Sequence, residues 1–567
     1  MTCNKSILSA TLLLASTMIA NADTKWLVEY KEYSVDTTYH ATVGPGTTLT
    51  HLDVTGPTGL NHLFYTEIDL GNPWIEMRSA KAKNDMRAVE TVPDIAARFD
   101  APGQRYFAGV NADFFNTGYP YNSLGTCISN GQLTNRQTTG PSADIDDYYL
   151  CFDSNGVPQF SRHVTLATSG SVSFRGNNSY PCSINAERTS NGLVIYTPQW
   201  QYINYGVTHP AGHTGTNEWG YEVAVRLVDG ERTFWGHTAS LEVISDVEKN
   251  VGNMEIPLDG FVLSGHGTSG ALVSDLKKGD VIKVFFDFQA NNATFDAREV
   301  IGGFPYLLYA GTVQATPGYP DHLANPEPRT AVGYNNDKTR MIMLVVDGRK
   351  AGGSAGATQQ QLAWFMKNLG CTYAMNFDGG GSSTMYVDRL GIRNVPSSSS
   401  LDADRKEGEP RVVVNGLFAV STSPDDNEVA AIEIVDKHLD LTTGQSYTPT
   451  VYGYNRYGVL IDKNFTGYKC NVSPMIADVN DNNMLKAADG HYSGLLTVTY
   501  GDATHSIPVY LNGGGEFVNA SVDNIIADDN FDAPTMYYNL QGIRVDNPAP
   551  GSFYIEKRGS SIRKIQL

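Results

Sequence analysis

MIMLVVDGRKAGGSAGATQQQLAWFMKNLGCTYAMNFDGG, residues 341–380, decides the fold. The run 341–346 is apolar at every position, a pattern that suits a strand buried on both faces. It ends at Asp347 and Gly348, and the glycine-rich turn AGGSAGA (351–357) comes next. Thr358 with Gln361 three places on reads as a capping box. Leu362, Phe365, Met366 and Leu369 give that helix an apolar face, and Gly370 stops it. The next apolar stretch, CTYAMNF (371–377), is a second strand that delivers Asp378. Strand, helix and strand within about 40 residues predict a parallel, right-handed βαβ unit. Asp347 and Asp378 then lie at the C-terminal ends of its strands, the edge at which open α/β sheets bind ligands.

The residues after Asp378 are unusual. Gly379, Gly380 and Gly381 leave the backbone bare, and Ser382, Ser383 and Thr384 add a row of hydroxyls. A bare backbone lets a ligand approach closely, and its N–H groups can cradle an anion beside the carboxylate. The competing reading is a tight hairpin with polar tips. Arg329, Arg349 and Arg411 are the candidate phosphate partners, because a guanidinium fork meets phosphate bidentately. For each of them the alternative is a surface or ion-pair arginine. Upstream, YFAGVNADFFN (106–116) runs into Asn111 and Asp113. Strand alternation places these two on one side with Ala112 opposite. They would position a sugar hydroxyl or a water, or else form an Asx turn.

GGSAG (352–356) matches the GxSxG nucleophile pattern. That elbow needs its serine directly between strand and helix. Here residues 347–350 intervene, the helix starts at Thr358, and only His266 or His322 could be put forward as the base.

Bulk properties bound the rest. The chain has 567 residues, 41% hydrophobic and 18% charged, the profile of a globular protein with several domains. A net charge of −19 argues against nucleic-acid binding, which needs clustered Lys and Arg. Lys5, an apolar core over Ile7–Ile19 and Ala20-Asn21-Ala22 read as a secretory signal peptide, residues 1–22. No other stretch is long and apolar enough to span a bilayer. The expectation is an exported protein in the periplasm, at the cell surface or outside the cell. Beyond the leader remain Cys127, Cys151, Cys182, Cys371 and Cys470, an odd set without CxxC spacing. Cys127 pairs with Cys151 or Cys182, or all are buried thiols.

Residues 25–100 read as short strands with a helix over 88–98, and 160–300 as short strands that include 192–198 and 221–228. The loop 315–328 carries four prolines and is irregular. A break near 421–428 closes the catalytic domain, 23–422. Residues 429–512 have the spacing of an immunoglobulin-like β-domain. A polar linker, 513–534, and a small β tail with a basic end, 535–567, complete the chain. The fold class is therefore α+β: a mixed-sheet domain with a βαβ unit, then an all-β domain.

NFDGGGSSTM (376–385), AGVNADFF (108–115), INAERTSNGLVIYTP (184–198), VLSGHG (262–267), EPRTAVGY (327–334), VVDGR (345–349), SAGATQQQLA (354–363) and EPRVVVNGL (409–417) together resemble the phosphodiester glycosidase family. The resemblance covers residues 40–420 and implies hydrolysis of a sugar-1-phosphodiester to free sugar and phosphomonoester. It implies Asp378 as the leading carboxylate, with Asp347 and Asp113 next. Asn111, Arg329, Arg349, Asn376, Gly379, Gly380, Ser382, Ser383, Thr384 and Arg411 become phosphate or sugar binders. The disulfide-bearing and membrane-anchored C-terminal parts of animal members have no counterpart here. The tail resembles C-terminal modules of exported Bacteroidetes proteins, which suggests a bacterial glycan substrate and cell-surface association. No cofactor is required on this reading, although Asp113, Asp347 and Asp378 would suit Ca²⁺ or Mg²⁺. Two other readings stand beside it: a surface protein that binds sugar phosphates without turnover, and a metal-dependent phosphodiesterase.

Overall fold

The computed structural model describes residues 24–84, 88–116, 121, 123–135, 148–162, 164–174, 178–198, 200, 203–204, 207–208, 212–216, 219–250, 252–314, 324–397, 405–518, 535–538, 544–545, 553–558 and 561–566. The leader (1–22), most of the linker and much of the proline loop, including His322, lie outside the described residues. The chain forms two compact units: residues 1–437 with 450–467 and 500–504, and residues 438–449 with 468–499 and 505–567.

Two sheets of the larger unit carry the site. Their elements are β1 (Thr24–Val28), β2 (Lys31–Gly44), β3 (Thr47–Gly56), β4 (Gly59–Asp69), β5 (Ile75–Lys81), α1 (Val92–Phe99), β6 (Arg105–Asn111), β7 (Tyr306–Tyr309), β8 (Thr312–Val313), β9 (Arg329–Tyr334), β10 (Arg340–Val346), α2 (Gln359–Asn368), β11 (Tyr373–Asn376), β12 (Met385–Val387), β13 (Gly391–Ile392) and β14 (Asn415–Ser421). The first sheet runs β1-β2-β3-β4-β10-β9-β11-β7-β8 and the second β13-β12-β6-β14-β5, both antiparallel throughout.

The apolar run of β10 is explained by burial on both faces. Met341, Met343 and Val345 join Val110, Met385 and Leu417 in the core between the sheets. Ile342, Leu344 and Val346 pack with Leu362, Phe365 and Met366 of α2. On the far side of the second sheet, Tyr106, Phe418 and Val420 pack with Val92, Ile95 and Ala96 of α1. The layers are helix, sheet, sheet, helix. Thr358 and Gln361 make the reciprocal capping box at α2, and Gly370 sits at φ +83 where it stops. Helix α1 begins at Val92, later than residue 88, because Thr91 caps it and a proline occupies its first turn.

The expected βαβ unit is present in a different form. β10 and β11 run in the same direction but are not neighbours, because β9 lies between them and pairs antiparallel with both. Residues 193–196, 220–227 and 261–266 are strands of a separate sheet, which closes by pairing Val164–Ser173 with Val281–Ala290. It holds a parallel pair, Ser179–Ile184 with Leu193–Tyr196, so the unit is β-rich with mixed sheets. The strands Ala431–Ile434, Val451–Tyr454 and Leu460–Asp462 form a small sheet within the larger unit.

In the second unit, Leu439–Leu441, Lys469–Asn471 and residues 492–499 and 505–511 contribute to one sheet. Thr535–Tyr538, Arg544–Val545, Phe553–Arg558 and Ser561–Gln566 form another. The five described cysteines are free thiols. Among the described residues no helix is long and apolar enough to cross a membrane.

Candidate active site

The antiparallel registers bring both sheets to one shared edge. In the first sheet Arg329 opens β9 opposite Val346, so Asp347 comes directly after β10 beside it, and Asp378 lies two residues past Asn376, the end of β11. In the second sheet Gly416 faces Asn111, Asn415 faces Lys81, and Met385 faces Val110. The ends of β5 and β6 and the starts of β12 and β14 therefore meet the aspartates.

Asp378 sits where the sheets join. Its N–H donates to Ala112 O at 2.7 Å, and Asn111 Nδ2 donates to its carbonyl at 2.6 Å. Burial pushes its carboxyl up to about 6, against the opposing pull of the Ser382 hydroxyl, the Arg411 guanidinium and the Gly379 N–H. Its surface is nevertheless partly open. The residue is thus desolvated but reachable, which suits a reacting carboxylate.

The glycines act as spacers more than as an anion cradle. Gly379 N–H donates to Asp378 Oδ1, Gly380 N–H to Pro328 O, and the Ser382 and Ser383 N–H groups to Gly379 O and Gly380 O. Most of the expected nest is consumed internally. What the glycines admit is guanidinium. A Cβ on Gly380 would lie 3.0 Å from Arg349 Nη2. One on Gly381 would lie 2.6 Å from Arg411 Nη2 and 2.8 Å from Arg405 Nη2. Arg411 also donates to Ser382 Oγ at 3.3 Å, and Arg349 pairs with Glu327 at 2.6 Å. Three guanidinium groups therefore lie against the loop after Asp378.

The other sequence candidates divide. Arg329 is buried, donating to Ala357 O and Asn325 O, and burial lowers it to about 10. Asn111 Oδ1 accepts from Thr330 Oγ1 and Thr384 N, so this side chain clamps the site together. Asn376 donates to Phe304 O and Phe377 O. Its Oδ1 and the Ser383 hydroxyl are buried with no partner among the described residues. The Thr384 hydroxyl donates to Ser382 O.

Asp347 is 1% exposed, and its oxygens accept from Asn394 Nδ2 and Val395 N, both at 2.9 Å. Burial raises it to about 6. Asp113 Oδ2 accepts from Ser123 Oγ and Gly125 N, and its own N–H donates to Asn415 Oδ1. β6 ends at Asn111, so strand alternation does not continue to Asp113: Asn111 faces Thr330 while Asp113 turns to Ser123 and Gly125. Protein donors thus occupy both Asp113 and Asp347. Among the described residues no group of three His, Cys, Asp or Glu could hold a metal.

Ser354 of the GxSxG pattern is fully buried, donates to Asp347 O and accepts from His62 N. It is a structural hydroxyl, which removes the serine-nucleophile reading. The sequence missed Arg405, Asn394, Asn415 and Lys81. Arg405 sits in the charged run LDADRKEGEP (401–410), indistinguishable there from a solvated loop. Lys81 is fully buried at the end of β5, its ammonium donating to Val414 O at 3.1 Å.

A desolvated carboxylate, with guanidinium groups lining the adjoining loop, defines a site suited to an anionic substrate. Residues 236–420 match the family model of the phosphodiester glycosidases. The match takes in Asp347, Asp378 and the four arginines but not Asn111 or Asp113. Solved structures similar to this chain include the following three. The first is a hypothetical protein from Synechocystis, 19% identical with a TM-score of 0.39, covering 66% of this chain. This chain spans 62% of that protein's length. The second, from Burkholderia pseudomallei, is 20% identical with a TM-score of 0.35, covering 65% of this chain and 75% of its own. The third is the catalytic domain of zebrafish N-acetylglucosamine-1-phosphodiester alpha-N-acetylglucosaminidase, auto-inhibited by its pro-peptide. It is 15% identical with a TM-score of 0.32, covering 68% of this chain and 87% of its own. No curated protein matches the chain.

Proposed function

We propose that this protein hydrolyses a sugar-1-phosphodiester at the C1–O bond, giving free sugar and a phosphomonoester. The observation that supports it is the placement of Asp378 beside a loop lined by Arg349, Arg405 and Arg411. Glycoside hydrolysis passes through an oxocarbenium-like transition state. The Asp378 carboxylate serves at C1 as nucleophile or as base. The leaving group is a phosphomonoester, a weakly basic anion that needs less protonation than an alcohol. The guanidinium groups stabilise the charge it gains on departure. One available carboxylate therefore suffices, and the positioning roles of Asp347 and Asp113 are no obstacle. The substrate class is a GlcNAc-1-phosphodiester-like unit of a bacterial glycan. No cofactor enters the mechanism. The leader-like residues 1–22 support action outside the cytoplasm.

The test is turnover of a GlcNAc-1-phosphodiester in ¹⁸O-labelled water. Label at sugar C1, absent with Asp378→Asn, is the expected result. Label in phosphate would mean P–O cleavage and would overturn the proposal. A second reading, sugar-phosphate binding without turnover, draws on the protein donors that occupy Asp113 and Asp347. Binding of the diester with no product from any sugar would favour it.

A further inference from the structure

Arg349 reaches Gly380 from a turn with a strained backbone. Arg349, Lys350, Gly352 and Gly353 have φ of 57, 64, 59 and 94. Left-handed backbone is strained at the two non-glycine positions, Arg349 and Lys350. Inside the turn, Ala351 N donates to Gly348 O, Gly353 N to Lys350 O and Lys350 N to Ser354 O. Outside the turn, Glu327 pairs with Arg349 and Leu60 O accepts from Ala355 N, and the rest of the support comes from one residue of β4, His62. Its backbone N–H donates to Ser354 Oγ, and its carbonyl accepts from Asp347 N at 3.0 Å. Its ring Nε2 lies 3.1 Å from Gly352 O, and its ring Nδ1 lies 2.6 Å from Asp53 Oδ1.

The ring contacts determine the proton count. A carbonyl oxygen only accepts, so Nε2 must carry hydrogen. A carboxylate also accepts, so Nδ1 must carry one too. The ring bridges both partners only as imidazolium. Asp53 on β3 and Asp347 at the end of β10 are the acidic groups that act on it, while Arg349 and Lys350 ride on the turn.

We propose that His62 is a positioning residue that latches the 348–354 turn, and with it Arg349, against the Asp378 loop while its ring is doubly protonated. Loss of one proton leaves either Asp53 or Gly352 O without its donor. The latch is complete while both ring nitrogens carry hydrogen and is lost when either proton leaves. The latch is a property of the fold, whereas its effect on substrate rests on the proposed function.

Hydrogen exchange of peptides spanning residues 348–354, corrected for intrinsic rates, tests it at about pH 6 and about pH 8. In the wild type, opening of the turn should rise about tenfold between the two, as expected for loss of a charge-assisted hydrogen bond. In His62→Gln opening should be high and independent of pH. Asp53→Asn, which keeps an acceptor but removes the charge, should move the transition to lower pH and serves if His62→Gln fails to fold. Equal pH dependence in wild type and variants would overturn the latch. With a working substrate, KM should rise with pH while kcat holds, and His62→Gln should abolish that rise. Exchange data of the expected form without any turnover would leave the latch intact and count against the glycosidase reading alone.

Discussion

Asn111 Nδ2 donates a 2.6 Å hydrogen bond to the carbonyl of Asp378, 267 positions further along the chain. Its Oδ1 accepts from Thr330 and Thr384, so one amide ties β6, β9 and the glycine loop into a single frame. Asn111→Ala would leave these buried groups unpaired, at a cost of about 1–3 kcal/mol. Thermal unfolding should show that loss. Activity should fall further than stability, because Asp378 loses its placement.

The raised pKa of Asp378 sets a pH dependence of both rate and stability. A carboxylate acting at C1 must be ionised, so kcat/KM should fall as pH drops through about 6. Stability runs the other way. The folded state holds its proton up to about 6, while an unfolded Asp releases it near 3.9. Burial therefore costs stability progressively as pH rises between those values, and fully above them. Asp378→Asn should be inactive yet more stable than wild type near neutral pH, by on the order of 2 kcal/mol, with the gain vanishing in acid. An asparagine variant no more stable at neutral pH would contradict the burial argument.

Gly381 offers a test of the arginine arrangement with little disturbance of the backbone. It needs no left-handed conformation, and the atoms an added Cβ would meet are the guanidinium ends of Arg411 and Arg405. Gly381→Ala should fold with near wild-type stability and raise KM for a phosphodiester by roughly tenfold, the scale of one charge-assisted contact. Arg405→Ala and Arg411→Ala should do the same, with added salt eroding the difference. A variant that changed kcat alone would place the arginines away from the phosphate.

The proposed mechanism uses no cation, and among the described residues no group of three His, Cys, Asp or Glu could hold one, so activity should survive exhaustive chelation. Assays with and without EDTA, each followed by addition of Ca²⁺ and Mg²⁺, check this. Loss restored by either ion would revive the metal-dependent phosphodiesterase reading.

The stretch 341–378 gave up its local structure readily. The capping box, the stop at Gly370 and the two strands are consequences of neighbouring residues, and both sides of the Thr358–Gln361 exchange are present. The partnership of strands was not legible. A run such as Met341–Val346 signals two buried faces but says nothing of which strands lie beside it: β9, joined to β10 by the short turn 335–339, forms a hairpin with it and also pairs with β11 beyond the helix. Likewise the glycines after Asp378 announced close approach, yet whether amide or guanidinium filled the space depended on Arg405 and Arg411. Arg411 was legible as a candidate phosphate partner, whereas Arg405 belongs to a segment that reads as a solvated charged loop. Asp113 and Asp347 were visible as carboxylates, while the donors that occupy them, Ser123, Gly125, Asn394 and Val395, come from turns with no pattern of their own.

The central position of β14 has a consequence for biosynthesis. It lies between β5 and β6 and pairs with both, although residues 415–421 emerge from the ribosome long after 75–81 and 105–111. Until then the two earlier strands have no shared partner, and Asn415 is not yet there to hold the Asp113 N–H. The nascent chain can collapse around its first sheet, but it acquires a complete site only when this late strand is threaded into place. Truncation before residue 421 should therefore abolish the site as a whole.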